Sequence, residues 1–118
     1  MEIFPLIEVT CRQQLRRWLE GHHTSEHHCW VPCSRSKVPP KDCITYVEVV
    51  EEALCFGWID STCKKLPDGR LAQRISPRRK NSHWTLRNLQ RCADLEKRGL
   101  MTDEGRRRAF PEMQLVKH

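Results

Sequence analysis

Apolar positions recur along the chain in two rhythms, one of about two residues and one of three to four. Residues 6–9 (LIEV) are short, apolar and β-branched, the composition of a first strand. Thr10 stands where an N-cap belongs, and Gln13 three residues on completes a capping box. Leu15, Trp18 and Leu19 then share one helical face, and Gly21 closes that helix. The polar run 22–28 (HHTSEHH) is a loop. Residues 29–34 (CWVPCS) read as a second strand at a sheet edge or a strand end, because Pro32 has no N–H to give a ladder. Paired prolines make 35–43 the clearest loop of the chain.

The strongest periodicity follows. Thr45 and Glu48 frame a capping box for a helix over 46–56, with Gly57 as its stop. Val47, Val50 and Leu54 are expected inward, each contributing roughly 1.5–3 kcal/mol on burial, and Glu48, Glu51 and Glu52 toward water. A strand starts at Trp58 and runs to about Lys65, turns at 66–70 (LPDGR) and returns over 70–76 to end at Pro77. Thr85 caps a third helix with Leu86, Leu89, Cys92, Ala93 and Leu95 inward and Gly99 as terminator. Thr102 opens a short fourth helix that ends near Phe110 at Pro111, leaving 111–118 as a frayed tail. These elements predict an α+β fold. A small mixed β-sheet of three or four strands, including a hairpin near 58–76, packs with about four helices in a single domain over 1–118. A β-α-β start with parallel strands takes a right-handed crossover.

At 118 residues the chain has the size of one domain with its own core. The net charge is +6 and is unevenly spread. Residues 64–108 hold fourteen Lys/Arg against five Asp/Glu, and the remainder seven against ten. Any electrostatic footprint therefore belongs to the C-terminal half, which suits anionic partners. No apolar run reaches the ~18–20 residues of a membrane span, so membrane insertion is not expected. Residues 1–9 (MEIFPLIEV) lack the basic start of a signal peptide, which points to the cytoplasm and reduced thiols.

Seven cysteines, at 11, 29, 33, 43, 55, 63 and 92, form no framework-like spacing and read as free thiols. The cluster of His22, His23, His27, His28, Cys29 and Cys33 raises a zinc question. No second ligand pair follows it, and Cys29, Val31 and Cys33 share one strand face, so core packing is expected and no metal or cofactor. Cys63, beside Lys64 and Lys65, is the better-placed thiol nucleophile but has no histidine nearby in sequence.

The chemistry concentrates in 73–84 (QRISPRRKNSHW). Arg74 lies on a strand, while Arg78, Arg79 and Lys80 follow Pro77 toward the start of the third helix. Guanidiniums grip oxyanions in pairs, and a helix N-terminus favours the same charge. Asp60 is placed to orient Arg74, and Trp58 and Trp84 to wall the site. The ligand-binding expectation is therefore Trp58, Asp60, Gln73, Arg74, Arg78, Arg79, Trp84 and Asn88, with catalytic residues unknown. The basic run Arg106, Arg107, Arg108 reads chiefly as a dipole-compatible helix end.

Taken together, 51–61 (EEALCFGWIDS), 72–78 (AQRISPR), 82–88 (SHWTLRN) and 99–105 (GLMTDEG) resemble the YdeI-like, OmpD-associated family, also called bacteriocin-protection proteins. The likeness spans about 45–108. Glu52, Trp58, Asp60, Gln73, Arg74, Pro77, Arg78, Ser82, Trp84 and Asn88 stand at its motif positions. The chain departs from the family pattern at 29–43, where Pro32, Cys33 and the double proline interrupt a smoother strand. The resemblance implies a small cytoplasmic α+β domain tied to an outer-membrane porin and to bacteriocin tolerance, with no catalytic residues supplied.

The leading expectation is a binding or stress-tolerance protein with a cationic pocket for an anionic small molecule or a protein partner. Sequence-independent nucleic-acid binding through the basic half ranks below it. So does an enzyme acting on an anionic small molecule, for which His83 is the one internal histidine of the basic half.

Overall fold

The computed structural model describes residues 3–36, 38, 40–79 and 84–116, with side chains through Ala109. Helix α1 (Arg12–His22) leads to strand β1 (Cys29–Cys33), helix α2 (Tyr46–Cys55), the hairpin β2 (Trp58–Lys65) and β3 (Leu71–Pro77), and helices α3 (Leu86–Lys97) and α4 (Asp103–Val116). The three strands form one sheet in the order β1-β3-β2. The fold is α+β, a small sheet packed with four helices. All three strands pair antiparallel, and the parallel pairings are two isolated bridges, Leu6 to Trp30 and Ser34 to Thr45.

Turn chemistry sets the hairpin register. The Leu66 N–H donates to the Arg70 carbonyl at 2.7 Å, Asp68 accepts from the Arg70 N–H at 3.0 Å, and Gly69 takes φ +93°. A left-handed φ of this kind costs glycine little. Between the Asp60–Ile75 and Cys63–Gln73 pairs, β2 carries two residues, Ser61 and Thr62, opposite Arg74 alone. That is a β-bulge, which leaves ladder groups to be satisfied by other means. The Gln73 amide does so: its Nε2 donates to the carbonyls of Ser61, Thr62 and Arg74 at 3.2, 3.3 and 3.1 Å.

Pro32 lies on the edge strand β1, opposite Ala72, where a missing donor is tolerated. Cys29, Val31 and Cys33 enter the main core, whereas Trp30 turns the other way onto Leu66 and Ala72. The strand expected over 6–9 is reduced to a single bridge. The Ile7 N–H reaches the Trp30 carbonyl, but the Val9 N–H folds back onto the Ile7 carbonyl at 2.9 Å and turns the chain away from β1.

Helix α2 has the expected capping box, with the Thr45 hydroxyl accepting from the Glu48 N–H and the Glu48 carboxylate from the Thr45 N–H. Its inward face is Val49, Val50, Ala53 and Leu54, while Val47 is 48% exposed. The buried stripe is thus rotated from the predicted one, and Glu52, expected in water, is only 1% exposed. Helix α1 also starts differently. Cys11 occupies the N-cap, and Gln14 rather than Gln13 reaches back to the Thr10 N–H.

Thr85 caps α3 through the Asn88 N–H, and Leu89, Cys92 and Leu95 are buried. Leu86, expected inward, is 56% exposed at the first turn. Gly99 ends the helix region at φ +72°. Helix α4 docks on the end of α2. The Thr102 N–H and hydroxyl both donate to the Cys55 carbonyl. A Cβ at Gly105 would meet that same oxygen at 2.2 Å. Helix α4 continues past Pro111 to Val116, because proline removes one donor but keeps a helical φ. Among the described residues, no helix is long and apolar enough to cross a membrane.

Candidate functional site

The start of α2, the start of β2 and the end of β3 meet at one corner of the molecule. Tyr46 is the first residue of α2, held there by the Thr45 cap and by its own N–H donating to the Ser34 carbonyl at 2.8 Å. Asp60 stands opposite Ile75, which puts it on the helix side of the sheet. The Tyr46 hydroxyl donates to Asp60 Oδ2 at 2.7 Å. Burial raises the tyrosine pKa above its usual value, and the hydrogen bond to and charge of Asp60 raise it further.

Three arginines surround this pair. The Arg35 guanidinium lies 4.1 Å from the Tyr46 ring centroid, a cation–π stack. Arg91 on α3 acts electrostatically on the Tyr46 hydroxyl and donates to Asn88 Oδ1 at 3.1 Å. Arg78 is the most enclosed, at 3% exposure, with its guanidinium 3.6 Å from the Trp84 ring centroid. Its backbone fixes the exit from β3, since its N–H donates to the Gly57 carbonyl at 3.0 Å and its carbonyl accepts from Arg108. Burial pushes the Arg78 pKa down, opposed by Cys92 and Asp60. The corner therefore combines two arginine–aromatic stacks, a third guanidinium and one carboxylate.

Of the expected site residues, Asp60, Arg78, Trp84 and Asn88 gather around this corner. Trp58 lies beneath it in the core, edge-on to Trp18 at 6.0 Å, and is 1% exposed. Gln73 is committed to the bulge, and Arg79 is exposed without an ion pair among the described residues. Arg74 is on the other face, opposite Trp30, with Nη1 donating to the Ser61 hydroxyl at 3.3 Å. Asp60 thus orients Tyr46 and not Arg74. Strand side chains alternate, so the residue beside Ile75 faces away from Asp60. Lys80, Ser82 and His83 lie outside the described residues.

The remaining charge is largely spent on structure. Glu52 Oε2 accepts from Arg12 Nε and Nη2 at 2.9 and 2.6 Å, and its Oε1 from Arg16 Nη1 at 3.0 Å. Burial alone would lower the two arginine pKa values, but hydrogen bonds and charge from Glu52 outweigh it. Arg16 also donates to the Leu100 carbonyl, and Glu51 bridges Arg12 and Arg98. Arg106 pairs with Glu96 and Asp103, and Arg107 and Arg108 pair with Glu104. The basic run of α4 is consequently neutralised in place.

Thiol and metal chemistry find little support here. Burial pushes Cys29, Cys33 and Cys92 up to about 12 and Cys55 to about 11, values that keep these thiols protonated at neutral pH. His22 and His23 bond the carbonyls of Trp18 and Leu19, each at 2.7 Å. His28 bonds the Phe4 carbonyl at 2.8 Å. Among the described residues no group of three His, Cys, Asp or Glu is arranged to hold a metal ion.

Sequence reasoning missed Tyr46, Arg35 and Arg91. Tyr46 had a usable signal, being the only tyrosine and sitting directly after the best cap of the chain. Arg91 is three residues from Asn88 on one helical face. Arg35 gave none, since it lies in a proline-rich loop.

The chain belongs to a family described as a domain of unknown function, DUF8412, whose model matches residues 7–108. That span takes in the corner and the Glu52 cluster. No curated protein matches the chain, and no solved structure does either.

Proposed function

We propose that the chain is a small binding protein that takes an anionic ligand at the Tyr46–Asp60–Arg78 corner. The observation that carries the reading is the exposed Arg35 guanidinium stacked on Tyr46, whose hydroxyl is bonded to the half-buried Asp60. Stacking on Tyr46 holds the plane of the exposed Arg35 guanidinium still, which lowers the ordering cost of gripping an oxyanion. Arg91 adds a second positive charge, after Arg35, acting on the Tyr46 hydroxyl. The reading fits a binding role of the bacteriocin-protection type, to which the GWID and AQRISPR segments are similar. Nucleic-acid binding has less behind it, because Arg106, Arg107 and Arg108 are already paired.

Thermal unfolding in inorganic phosphate tests the proposal, since a ligand of the native state raises Tm by linkage. Phosphate is expected to raise Tm above chloride of equal ionic strength. The Arg35→Ala/Arg91→Ala double variant loses that increment, while Arg74→Ala, on the opposite face, keeps it. Equal Tm in the two salts for the unaltered protein removes the site.

A further inference from the structure

A bare oxyanion does not account for how firmly the Arg35 guanidinium is presented. Tyr46, on which it lies, is fixed at both ends. Its N–H donates to the Ser34 carbonyl at 2.8 Å, and its hydroxyl donates to Asp60 Oδ2 at 2.7 Å. The chain on either side of Arg35 is fixed too. The Ser34 hydroxyl accepts from the Ser36 N–H at 3.1 Å. The Ser36 hydroxyl accepts from the Val38 N–H at 3.2 Å and donates to the Val38 carbonyl at 3.0 Å. Arg35 itself is exposed and makes no hydrogen bond or ion pair among the described residues. One face of its guanidinium lies over the Tyr46 ring at 4.1 Å, so the other face and the N–H edge are left to solvent.

A guanidinium offers two different surfaces. The N–H edge grips a carboxylate or phosphate, whereas the flat, weakly hydrated faces stack on planar rings. An oxyanion uses the edge alone and leaves the outer face wet. The apolar residues next to this platform in the chain lead the same way. Val38, three residues beyond Arg35, is 85% exposed, and Val47, directly after Tyr46, is 48% exposed. Such side chains gain nothing from a bare phosphate, whereas a ring that covers them removes apolar surface from water.

Resting on the anion-binding reading, we infer that the ligand is an oxyanion carrying an aromatic ring, the chemistry of an aryl phosphate or a mononucleotide. The ring stacks on the outer face of Arg35 and continues the Tyr46–Arg35 stack. The oxyanion takes N–H groups that Arg91 does not give to Asn88. Arg91 is held for this by its bond to Asn88 Oδ1 at 3.1 Å, and Asn88 is buried at the capped start of α3. Arg35 is then a specificity-determining residue, through its plane rather than its charge.

Isothermal titration of the full chain with matched phosphates tests this. Phenyl and cyclohexyl phosphate share their charge and approximate size, but only the first is flat. Burial of apolar area alone does not favour the phenyl ring. The unaltered protein is expected to bind phenyl phosphate about two- to fivefold more tightly than cyclohexyl phosphate, the factor an exposed cation–π contact supports. Arg35→Lys keeps the charge and loses the plane, so it is expected to bind both more weakly and equally well. Arg74→Ala, on the opposite face of the sheet, keeps the preference. AMP against ribose phosphate puts the same question to a nucleotide. A preference in both pairs upholds the inference with a nucleotide as the source, and a preference in the phenyl pair alone upholds it with a small aryl oxyanion. Equal affinities for phenyl and cyclohexyl phosphate in the unaltered protein overturn the inference while leaving the anion site intact. A preference that survives Arg35→Lys overturns the role of the Arg35 face. Binding of none of these phosphates removes the anion site itself.

Discussion

The two ends of α2 use the same residue types for opposite purposes. Toward its C-terminus, Glu51 and Glu52 gather Arg12, Arg16 and Arg98, and the Cys55 carbonyl takes both donors of Thr102. Nearly every polar atom there points to another part of the chain, and the result ties α1, α2 and α4 together. At its N-terminus, Tyr46 and Asp60 are joined, but Arg35 and Arg91 make no salt bridge among the described residues. A guanidinium closed on a buried carboxylate is a fastener. Arg35, stacked on the Tyr46 ring, keeps its hydrogen-bonding edge for something else. Counting arginines does not distinguish the two; counting which N–H groups are spent does.

The sharpest way to break the comparison is to remove the fastener. Glu52→Ala leaves Arg12 and Arg16 half-buried without their shared carboxylate, and such a truncation costs about 3–5 kcal/mol. Denaturant unfolding measures it, and a loss below about 1 kcal/mol would mean the cluster is no more than surface charge. Next in size is Gly105→Ala, which drives a Cβ into the Cys55 carbonyl and is expected to cost about 1–3 kcal/mol. An unchanged midpoint would show that α4 does not need this approach.

Smaller effects sharpen the open end. Tyr46 is the single tyrosine, so phenolate absorbance against pH reports this corner alone. Its midpoint is expected above the usual 10, and Asp60→Asn should bring it down. The sign for stability follows from linkage. The folded state holds the phenol proton more tightly than the unfolded one, so this contribution is intact below pH 10 and is lost as pH rises past it. A midpoint that Asp60→Asn leaves in place would mean the hydrogen bond is absent in solution. The least effect belongs to Arg106→Ala. Its partners Glu96 and Asp103 are exposed, and exposed pairs contribute little, so thermal unfolding should not resolve the change.

Local signals were legible in the sequence. The Thr45–Glu48 box, the Thr85 cap, the Asp68–Gly69 turn and the free edge for Pro32 all depend on neighbours within a few residues, and each appears where expected. Glu52 was not legible, because its partners Arg12 and Arg16 are 40 and 36 residues away and only the packing of two helices makes a polar position buried. Val47 and Leu86 failed for a related reason: both sit in the first turn of a helix, where the packing partner does not yet cover the face. At the site, the chemistry of 73–84 was visible but its phase was not. The bulge and the alternation of β3 send Arg74 to one side while Arg78 leaves the sheet to meet Trp84 on the other.

The same bulge bears on how the molecule behaves in company. Strand β2 is an outer strand, and outer strands with a continuous row of unsatisfied N–H and C=O groups invite a neighbouring copy to add on. Here Gln73 bonds two of its carbonyls, those of Ser61 and Thr62, from the inner side, and Lys64 and Lys65 come just after Cys63. An incoming strand would meet an interrupted ladder and two like charges, so one buried amide helps keep the protein from polymerising along its sheet.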